Sequence, residues 1–273
     1  MIRLGMMMTV LITVAGSGFS TMAGAQEIKE LKEHVVYIGD SHSAGHFGIV
    51  MAQWLRKRGS SFEFAASGGT APFQWQSGGT VSACGYRDSS KLAQAPVDQC
   101  DEHFKTPSFL KMLTDAPKAT ERVAIIAHGT NYNVAGADYN FSITSSAALI
   151  KAAQDQGFHC VWIGPPNMPR FKSKLDTFYA VIKEAIKQTG DHCTLIDSRN
   201  FSVYPVPADP THEDHPDGVH YAIPWWRHFP EGLKAAEAWA QGLTDDHGVI
   251  IHRGVIGELE KLSFFANHTP TTH

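Results

Sequence analysis

Short apolar runs recur along the chain and alternate with segments that carry apolar residues at helical spacing. The runs are His34–Gly39, Ser61–Ala65, Arg122–Ala127, His159–Ile163 and His192–Ile196. Runs of this length, bounded by turn residues, are typical of buried strands. Strands that alternate with helices pair in parallel through right-handed crossovers and leave helices on both faces of the sheet. The pattern therefore predicts one α/β domain with about five parallel strands.

Helical spacing is clearest in three segments. They are Ala44–Arg58, Leu175–Ile186 and Glu231–Leu243. Two further segments do not fit the alternation. The segment 70–106 is long and rich in Gly, Ser, Gln and Pro, and the segment 247–273 has no role that we can assign. An ordered loop as long as 70–106 inside a compact domain is usually functional.

The amino terminus has the features of an export signal. Arg3 gives a positive start, a mostly apolar stretch follows, and Ala23-Gly24-Ala25 fits a small-residue cleavage site. We expect residues 1–25 to be a signal peptide, 26–246 the folded domain and 247–273 an extension. The mature protein would be secreted or periplasmic, without stable membrane insertion. A retained amino-terminal anchor is the alternative.

The charge balance bears on the kind of partner. The 273 residues carry a formal net charge of −4, and removal of the signal would take away one base and no acid. A mildly acidic chain without a dense Lys/Arg cluster is poorly suited to a nucleic-acid partner. We therefore expect no binding to nucleic acid.

Four cysteines in an exported chain favour two disulfides, although four cysteines allow three pairings. We expect Cys84–Cys100 and Cys160–Cys193. The first pair would close a loop with few other signs of regular structure and stabilise it by about 3 kcal/mol in the chain-entropy model. The second pair lies at the starts of two predicted strands. No C-x-x-C spacing is present, which argues against metal ligation by these cysteines.

The stretch Gly39-Asp40-Ser41-His42-Ser43 joins the first predicted strand to the first predicted helix. Such a serine lies at the carboxyl edge of the sheet, where open α/β sheets bind ligands. It also lies at a helix N-terminus, which favours developing negative charge. Taken alone, Ser41 is either a nucleophile or a helix N-cap. His42 is a poor candidate for the base, because adjacent residues on a helix point apart.

Asp217 and His220 precede the last predicted helix and are close enough for one turn to present both. A histidine base needs a carboxylate that holds its tautomer and stabilises the imidazolium. One alternative is a polar surface turn, which is common in a chain with 15 histidines. The other is a metal site formed by His212, Asp214, His215 and His220. Its spacing matches no H-E-x-x-H helix, so we expect no metal.

Two stretches that contain glycine follow other predicted strands. Ser67-Gly68-Gly69-Thr70 follows the second strand, and His128-Gly129-Thr130-Asn131 follows the third. A glycine N–H can approach a substrate closely, and an asparagine amide at a strand end can help to build an oxyanion hole. Each stretch by itself is more often an ordinary turn.

In chain order the four stretches read G-D-S, S-G-G-T, G-T-N and D-G-V-H, and together they resemble the SGNH, or GDSL-type, hydrolases. The resemblance implies a three-layer α/β/α, flavodoxin-like fold and a serine esterase that needs no cofactor. By this resemblance Ser41 is the nucleophile, His220 the base and Asp217 its orienting partner. The oxyanion hole comprises the Ser41 N–H, the Gly68 N–H and the Asn131 side chain, with Gly69 as the alternative to Gly68.

The sequence departs from the family at two positions, where His42 replaces an apolar residue and Tyr132 stands where many relatives carry Asp.

Members of the family cleave esters of lipids, glycans and small acyl compounds. Trp75, Tyr132 and Trp225 are candidate substrate contacts, since aromatic rings beside polar groups suit stacking on sugars. Packing in the core or in a lid is the alternative.

The export signal, the polar insertion and the tryptophans favour one substrate class. We expect removal of small acyl groups, such as O-acetyl, from a glycan such as envelope polysaccharide or peptidoglycan. The alternatives are a lipase or lysophospholipase, a glycan O-acyltransferase and a catalytically silent glycan-binding module.

Overall fold

The computed structural model describes residues 31–89, 101–132, 138–205, 217–221, 230–245, 247 and 249–266. The main sheet comprises β1 (Leu31–Gly39), β2 (Ser61–Ser67), β3 (Gly85–Ser89), β4 (Ala119–Ala127), β5 (His159–Ile163) and β6 (Cys193–Ile196). Its strand order is β3-β2-β1-β4-β5-β6. All neighbouring strands are parallel except β2 and β3. The five predicted strands are thus confirmed, and β3 adds an antiparallel edge.

Helices flank the sheet and follow its strands. They are α1 (Ser41–Ala44), α2 (His46–Arg58), α3 (Pro72–Ser77), α4 (Phe109–Asp115), α5 (Tyr139–Asp155), α6 (Leu175–Gln188), α7 (Pro230–Gln241), α8 (Val255–Leu259) and α9 (Ser263–Ala266). A separate antiparallel pair comprises β7 (Gly242–Thr244) and β8 (Ile250–Arg253). The last long predicted helix therefore ends two residues earlier than expected, at Gln241, and β7 begins at the next residue.

Side chains of β1 point alternately into two cores, as the period of a strand requires. Val35 and Tyr37 pack in the cluster that contains residues of α2, α7 and α8. Val36 and Ile38 pack in the cluster that contains residues of α4, α5 and α6. All four are fully buried. The sheet is therefore covered on both faces, which confirms the three-layer α/β/α architecture.

The strand register brings the polar stretches to one edge. Gly39, the last residue of β1, pairs with Ala66 of β2 and with Ala127 of β4. Ala127 in turn pairs with Ile163, the last residue of β5. Because parallel strands end together, the segments that follow them converge on a shared cleft at the carboxyl edge.

The segment 70–106 is more regular than the sequence analysis predicted. It contains α3 and the edge strand β3, whose Gly85 pairs with Ser67 of β2. The sequence of this strand has little intrinsic strand propensity, and the strand is stabilised by its pairing with β2. The local pattern therefore does not predict it. The expectation of few regular elements is therefore wrong for the described part of the segment.

The described part of 247–273 packs on the same core as α2. Val255, Leu259 and Phe265 are buried in that core. The indole N–H of Trp54 donates to Glu260 at 3.1 Å. Within the described residues, no helix is both long enough and apolar enough to cross a membrane.

Cys160 and Cys193 form the expected disulfide, with their Cα atoms 4.5 Å apart. The two residues are register partners on β5 and β6, so the strand pairing itself brings them together. The Cys84–Cys100 pair stays a prediction, because Cys100 lies outside the described residues.

Candidate active site

The turn between β1 and α1 carries Ser41 as the first residue of α1. The N-cap is Asp40, whose side chain accepts the His42 N–H at 3.0 Å. Ser41 is therefore not the cap, and its hydroxyl is available for other chemistry. A Cβ atom on Gly39 would lie 2.1 Å from the Ser43 Oγ, so glycine is required for this tight turn.

Ser41, His220 and Asp217 are brought together across the chain. The His220 Nε2 lies 2.9 Å from the Ser41 Oγ. The His220 Nδ1 lies 2.7 Å from the Asp217 Oδ2. Since an ionised carboxylate only accepts, Nδ1 carries the proton in this pair and Nε2 is left to accept from the serine hydroxyl. This is the arrangement of a nucleophile, a base and an orienting carboxylate.

The turn that presents His220 is held by hydrogen bonds at several points. The Asp217 Oδ1 accepts the N–H groups of Val219 and His220 at 2.9 and 2.8 Å. Tyr204 accepts the Gly218 N–H at 2.9 Å and donates to the His220 carbonyl at 3.2 Å. Gly218 has a φ of +76°, which favours glycine. The imidazole is therefore fixed by its own turn and by Tyr204.

The Asp217 carboxyl is set up to stay ionised. Burial alone raises its pKa, but the hydrogen bonds and charge of His220 and the Val219 N–H outweigh this effect. The net result holds the pKa of Asp217 well below its ordinary value. A permanent anion at this position is what stabilises an imidazolium at His220.

Asp40 is a second buried carboxyl beside the triad. Burial raises its pKa from 3.8 to about 6, against the lowering effects of the His42 N–H, the charge of His220 and hydrogen bonds from Thr130. Thr130 immediately precedes Asn131 on the loop after β4. Asp40 therefore links the nucleophile turn to the loop that carries Asn131.

His42 lies behind the triad and is buried. Its ring centroid is 5.5 Å from that of His220 and 5.4 Å from that of Trp239. Burial, followed by the charge of His220, lowers the pKa of His42 to about 3. Its Nε2 has no hydrogen-bond partner among the described residues. His42 is therefore a neutral packing residue and not a second base.

The Gly68 N–H is already used within the protein, which corrects its predicted role. It donates to the carbonyl oxygen of Cys84 at 2.6 Å, beside the antiparallel pairing of β2 and β3. A donor with this acceptor has no hydrogen to offer an oxyanion. No described residue accepts the Gly69 N–H, and Gly69 has a φ of +72°. The alternative register at Gly69 is therefore the better donor in this structure.

Asn131 lies on the loop after β4 and is partly exposed. Its Nδ2 donates to the Thr70 carbonyl oxygen at 3.0 Å. An amide NH₂ group has two hydrogens, so one remains for another acceptor. Asn131 thus keeps the capacity for an oxyanion donor while it is anchored to the loop after β2.

The predicted aromatic contacts fall in the core. Trp75 is fully buried and donates its indole N–H to the Thr70 hydroxyl at 3.1 Å. Tyr132 is 1% exposed, and its hydroxyl lies 3.2 Å from the Ser146 Oγ. Neither ring has a face for stacking on a sugar, so the predicted substrate contact is wrong at both positions. Trp225 lies outside the described residues.

The metal alternative rests on four residues, of which the structure describes His220. Within the described part of the chain, no group of three or more His, Cys, Asp or Glu side chains is placed to hold an ion. His212, Asp214 and His215 lie outside it. His220, the remaining member of that set, is bonded to Asp217 and Ser41.

The sequence assigned no role to three residues at the site. Tyr204 braces the histidine turn, Thr130 binds Asp40, and Thr70 binds Asn131. Each acts through a contact with a residue distant in sequence or through its backbone. A short sequence motif does not show such contacts. Thr70 and Thr130 are sequence neighbours of Gly69 and Asn131, which were predicted oxyanion donors, whereas Tyr204 has no such neighbour.

No protein-family model and no curated protein matches the chain. Among solved structures it is similar to a psychrotrophic esterase from Pseudoalteromonas, at 12% identity over 62% of this chain and 79% of that one, with a TM-score of 0.37. It is similar to a GDSL-like lipase from Bacteroides thetaiotaomicron, at 13% identity over 75% and 84%, with a TM-score of 0.41. It is also similar to a family two carbohydrate esterase from Clostridium thermocellum, at 16% identity over 77% and 62%, with a TM-score of 0.41. These are distant likenesses, and the function of this chain is inferred below from its own residues.

Proposed function

We propose that this protein is a serine esterase of SGNH type. The observation that carries the proposal is the continuous chain of hydrogen bonds from Ser41 through His220 to Asp217, at 2.9 and 2.7 Å. Ser41 lies 179 positions before His220 in the sequence, so their contact is a property of the fold. A buried packing role does not explain His220 and Asp217, since both side chains keep some exposure.

The reaction follows from the positions of the protons. The His220 Nε2 takes the proton of the Ser41 hydroxyl as the Oγ attacks the ester carbonyl. The imidazolium, stabilised by Asp217, then gives that proton to the departing alcohol, and an acyl-enzyme remains. Water, deprotonated by the same nitrogen, cleaves the acyl-enzyme and restores the free serine.

The tetrahedral oxyanion is stabilised by three hydrogen-bond donors. The free hydrogen of the Asn131 amide and the Ser41 N–H are two donors. The third donor is the backbone N–H of Gly69, because the Gly68 N–H is bonded to Cys84. Donors held in place before the reaction lower the barrier without reorganising during it.

For the substrate we propose small acyl groups, such as O-acetyl, on a glycan. The support is the predicted export signal, the polar insertion and the tryptophans that follow His220 in sequence. Trp75 no longer contributes to this inference, since it is buried. Hydrolysis of lipid esters is the competing substrate class.

Covalent labelling tests the nucleophile. A fluorophosphonate probe should label the wild-type protein and should leave Ser41→Ala unlabelled. Ser43→Ala is the matched control, because Ser43 is a buried serine of the same turn whose hydroxyl bonds Tyr37 at 2.8 Å. Absence of labelling in folded wild-type protein would favour the silent binding module, and labelling of Ser41→Ala would overturn the assignment.

A chain-length series of p-nitrophenyl esters tests the substrate class. We expect the highest kcat/KM on acetate and a steady fall with longer chains. Best turnover on long acyl chains would replace the glycan proposal with a lipase. Product analysis with an acetylated donor and a mixed glycan acceptor separates hydrolysis from acyl transfer.

A further inference from the structure

A chain of hydrogen bonds, buried except at its Asn131 end, runs from Trp75 to Asn131. The Trp75 indole N–H donates to the Thr70 Oγ1 at 3.1 Å, and the Thr70 hydroxyl donates to the Ser67 carbonyl at 2.7 Å. The Thr70 carbonyl accepts from the Asn131 Nδ2 at 3.0 Å. Trp75, Thr70 and Ser67 are each at most 1% exposed.

The two bonds at the Thr70 hydroxyl leave it one orientation. A hydroxyl has a single hydrogen, and here it goes to Ser67, so the bond from Trp75 fills an acceptor site. A β-branched side chain is already restricted about its first torsion. The side chain is thereby locked, and the carbonyl of the same residue is held where Asn131 needs it.

The Thr70 carbonyl also decides which way the Asn131 amide faces. A carbonyl oxygen accepts only from the NH₂ end, so the flipped amide would lose this bond and place two oxygens against each other. With one amide hydrogen on Thr70, the planar geometry fixes the direction of the second. That second hydrogen is the one that the proposed function assigns to the oxyanion.

We infer that Trp75 and Thr70 are positioning residues for Asn131, an inference that rests on the proposed esterase function. Trp75 lies on α3, inside the insertion, and its ring centroid is 5.8 Å from that of His128 on the Asn131 loop. The insertion thus affects the reaction through buried contacts, from Trp75 through Thr70 to Asn131. It sets the orientation of an oxyanion donor and does so without touching the substrate.

The first test is a double-mutant cycle on kinetics. Trp75→Phe keeps a buried aromatic ring and deletes the N–H, and we expect kcat to fall about tenfold with KM unchanged. In an Asn131→Ala background the same change should have no further effect, because the donor it positions is gone. Trp54→Phe is the matched control, since it also deletes an indole N–H bond of 3.1 Å but lies away from the site.

An equal loss of kcat in the Asn131→Ala background would overturn the inference, as would unchanged kcat in Trp75→Phe. Should Trp75→Phe fail to fold, the pair Thr70→Ser and Thr70→Val replaces it. Serine retains the hydroxyl and should keep kcat near wild type, while valine should reproduce the loss. Full activity in Thr70→Val would overturn the inference.

A second readout does not depend on turnover. In ¹⁵N NMR spectra the two Asn131 side-chain amide hydrogens should have a chemical-shift separation in wild type that differs from that of a solvent-exposed asparagine, and this separation should move toward the exposed value in Trp75→Phe but not in Trp54→Phe. Loss of all activity in Ser41→Ala with these resonances unchanged supports both proposals. An ordered Asn131 amide in a wild-type protein that lacks esterase activity refutes the function and leaves the positioning intact. An unaltered amide in Trp75→Phe refutes the positioning.

Discussion

The nucleophile half of the site and the oxyanion half are built in different ways. In the first half, His220 contacts both Ser41 and Asp217, and the three residues come from two short turns. In the second half, Asn131 is anchored to Thr70 on another loop, and the Gly68 N–H is excluded as a donor by its bond to Cys84. The comparison teaches that the turn of Asp217 and His220 carries most of its own orienting contacts, with Tyr204 as a brace, whereas Asn131 depends on what the insertion packs against it.

The nucleophile half should give the largest effect. In Asp217→Asn the Oδ1 can still accept the N–H groups of Val219 and His220, so the turn should persist. The amide nitrogen that replaces Oδ2 no longer accepts from His220 Nδ1, and the imidazole takes the wrong tautomer. We expect kcat to fall on the order of 10⁴-fold with the protein folded. Steady-state kinetics, with circular dichroism as the folding check, measure this.

A loss of less than tenfold in Asp217→Asn would show that His220 needs no orienting carboxylate. The turn could then be the polar surface turn that the sequence also allowed. Tyr204→Phe separates the contribution of the turn's support from that of the carboxylate. It removes the hydrogen bonds to Gly218 and His220 but leaves Asp217 in place.

The oxyanion half should give a smaller effect. Asn131→Ala deletes one donor that is used only in the transition state, so kcat should fall about 10²–10³-fold while KM stays near wild type. Asn167→Ala is the matched control, since its amide also donates to a backbone carbonyl, that of Arg199 at 2.9 Å. A rise in KM with unchanged kcat in Asn131→Ala would instead make Asn131 a ground-state binding residue.

The same division explains what the sequence could predict. The strands and the pairing of Asp217 with His220 follow from local patterns, and local patterns are what a sequence shows directly. The commitment of Gly68 depends on the carbonyl of Cys84, which β3 brings alongside β2. The burial of Trp75 depends on the packing of α3 against the loop after β4. Contacts between distant segments leave no periodic trace, so these features required the structure.

The Cys160–Cys193 disulfide tests whether stability and chemistry separate. It joins the amino ends of β5 and β6, at the edge of the sheet opposite the site. Replacing both cysteines by alanine should lower the free energy of unfolding by roughly 3–4 kcal/mol, from the loop it closes. Urea unfolding measures this, and kcat at 25 °C should be unchanged. A comparable loss of kcat in protein that is still folded would mean that this edge controls the cleft.

Asp40 joins the two halves, and its stability effect is the smallest and depends on pH. Because its pKa is raised from 3.8 to about 6, the folded state binds more protons than the unfolded state between these values. The free energy of unfolding therefore falls as the pH rises through this window. Asn at this position can still accept the His42 N–H but cannot ionise. We expect Asp40→Asn to gain stability relative to wild type, by about 2–3 kcal/mol at most, between pH 4 and pH 7.

Urea unfolding of both proteins at pH 4, 5, 6 and 7 measures the difference directly. Asp138→Asn is the control for loss of a capping carboxylate, since Asp138 is an exposed N-cap that accepts the Asn140 N–H at 3.1 Å. The difference for Asp40→Asn would reverse sign if the wild-type protein gained stability with rising pH. The hydrogen bonds from His42 and Thr130 would then stabilise the carboxylate by more than burial destabilises it. The link between the two halves would then strengthen on ionisation. If the difference follows the expected direction, the protein tolerates a buried anion beside His220 at neutral pH, where that anion favours the imidazolium of the proposed reaction.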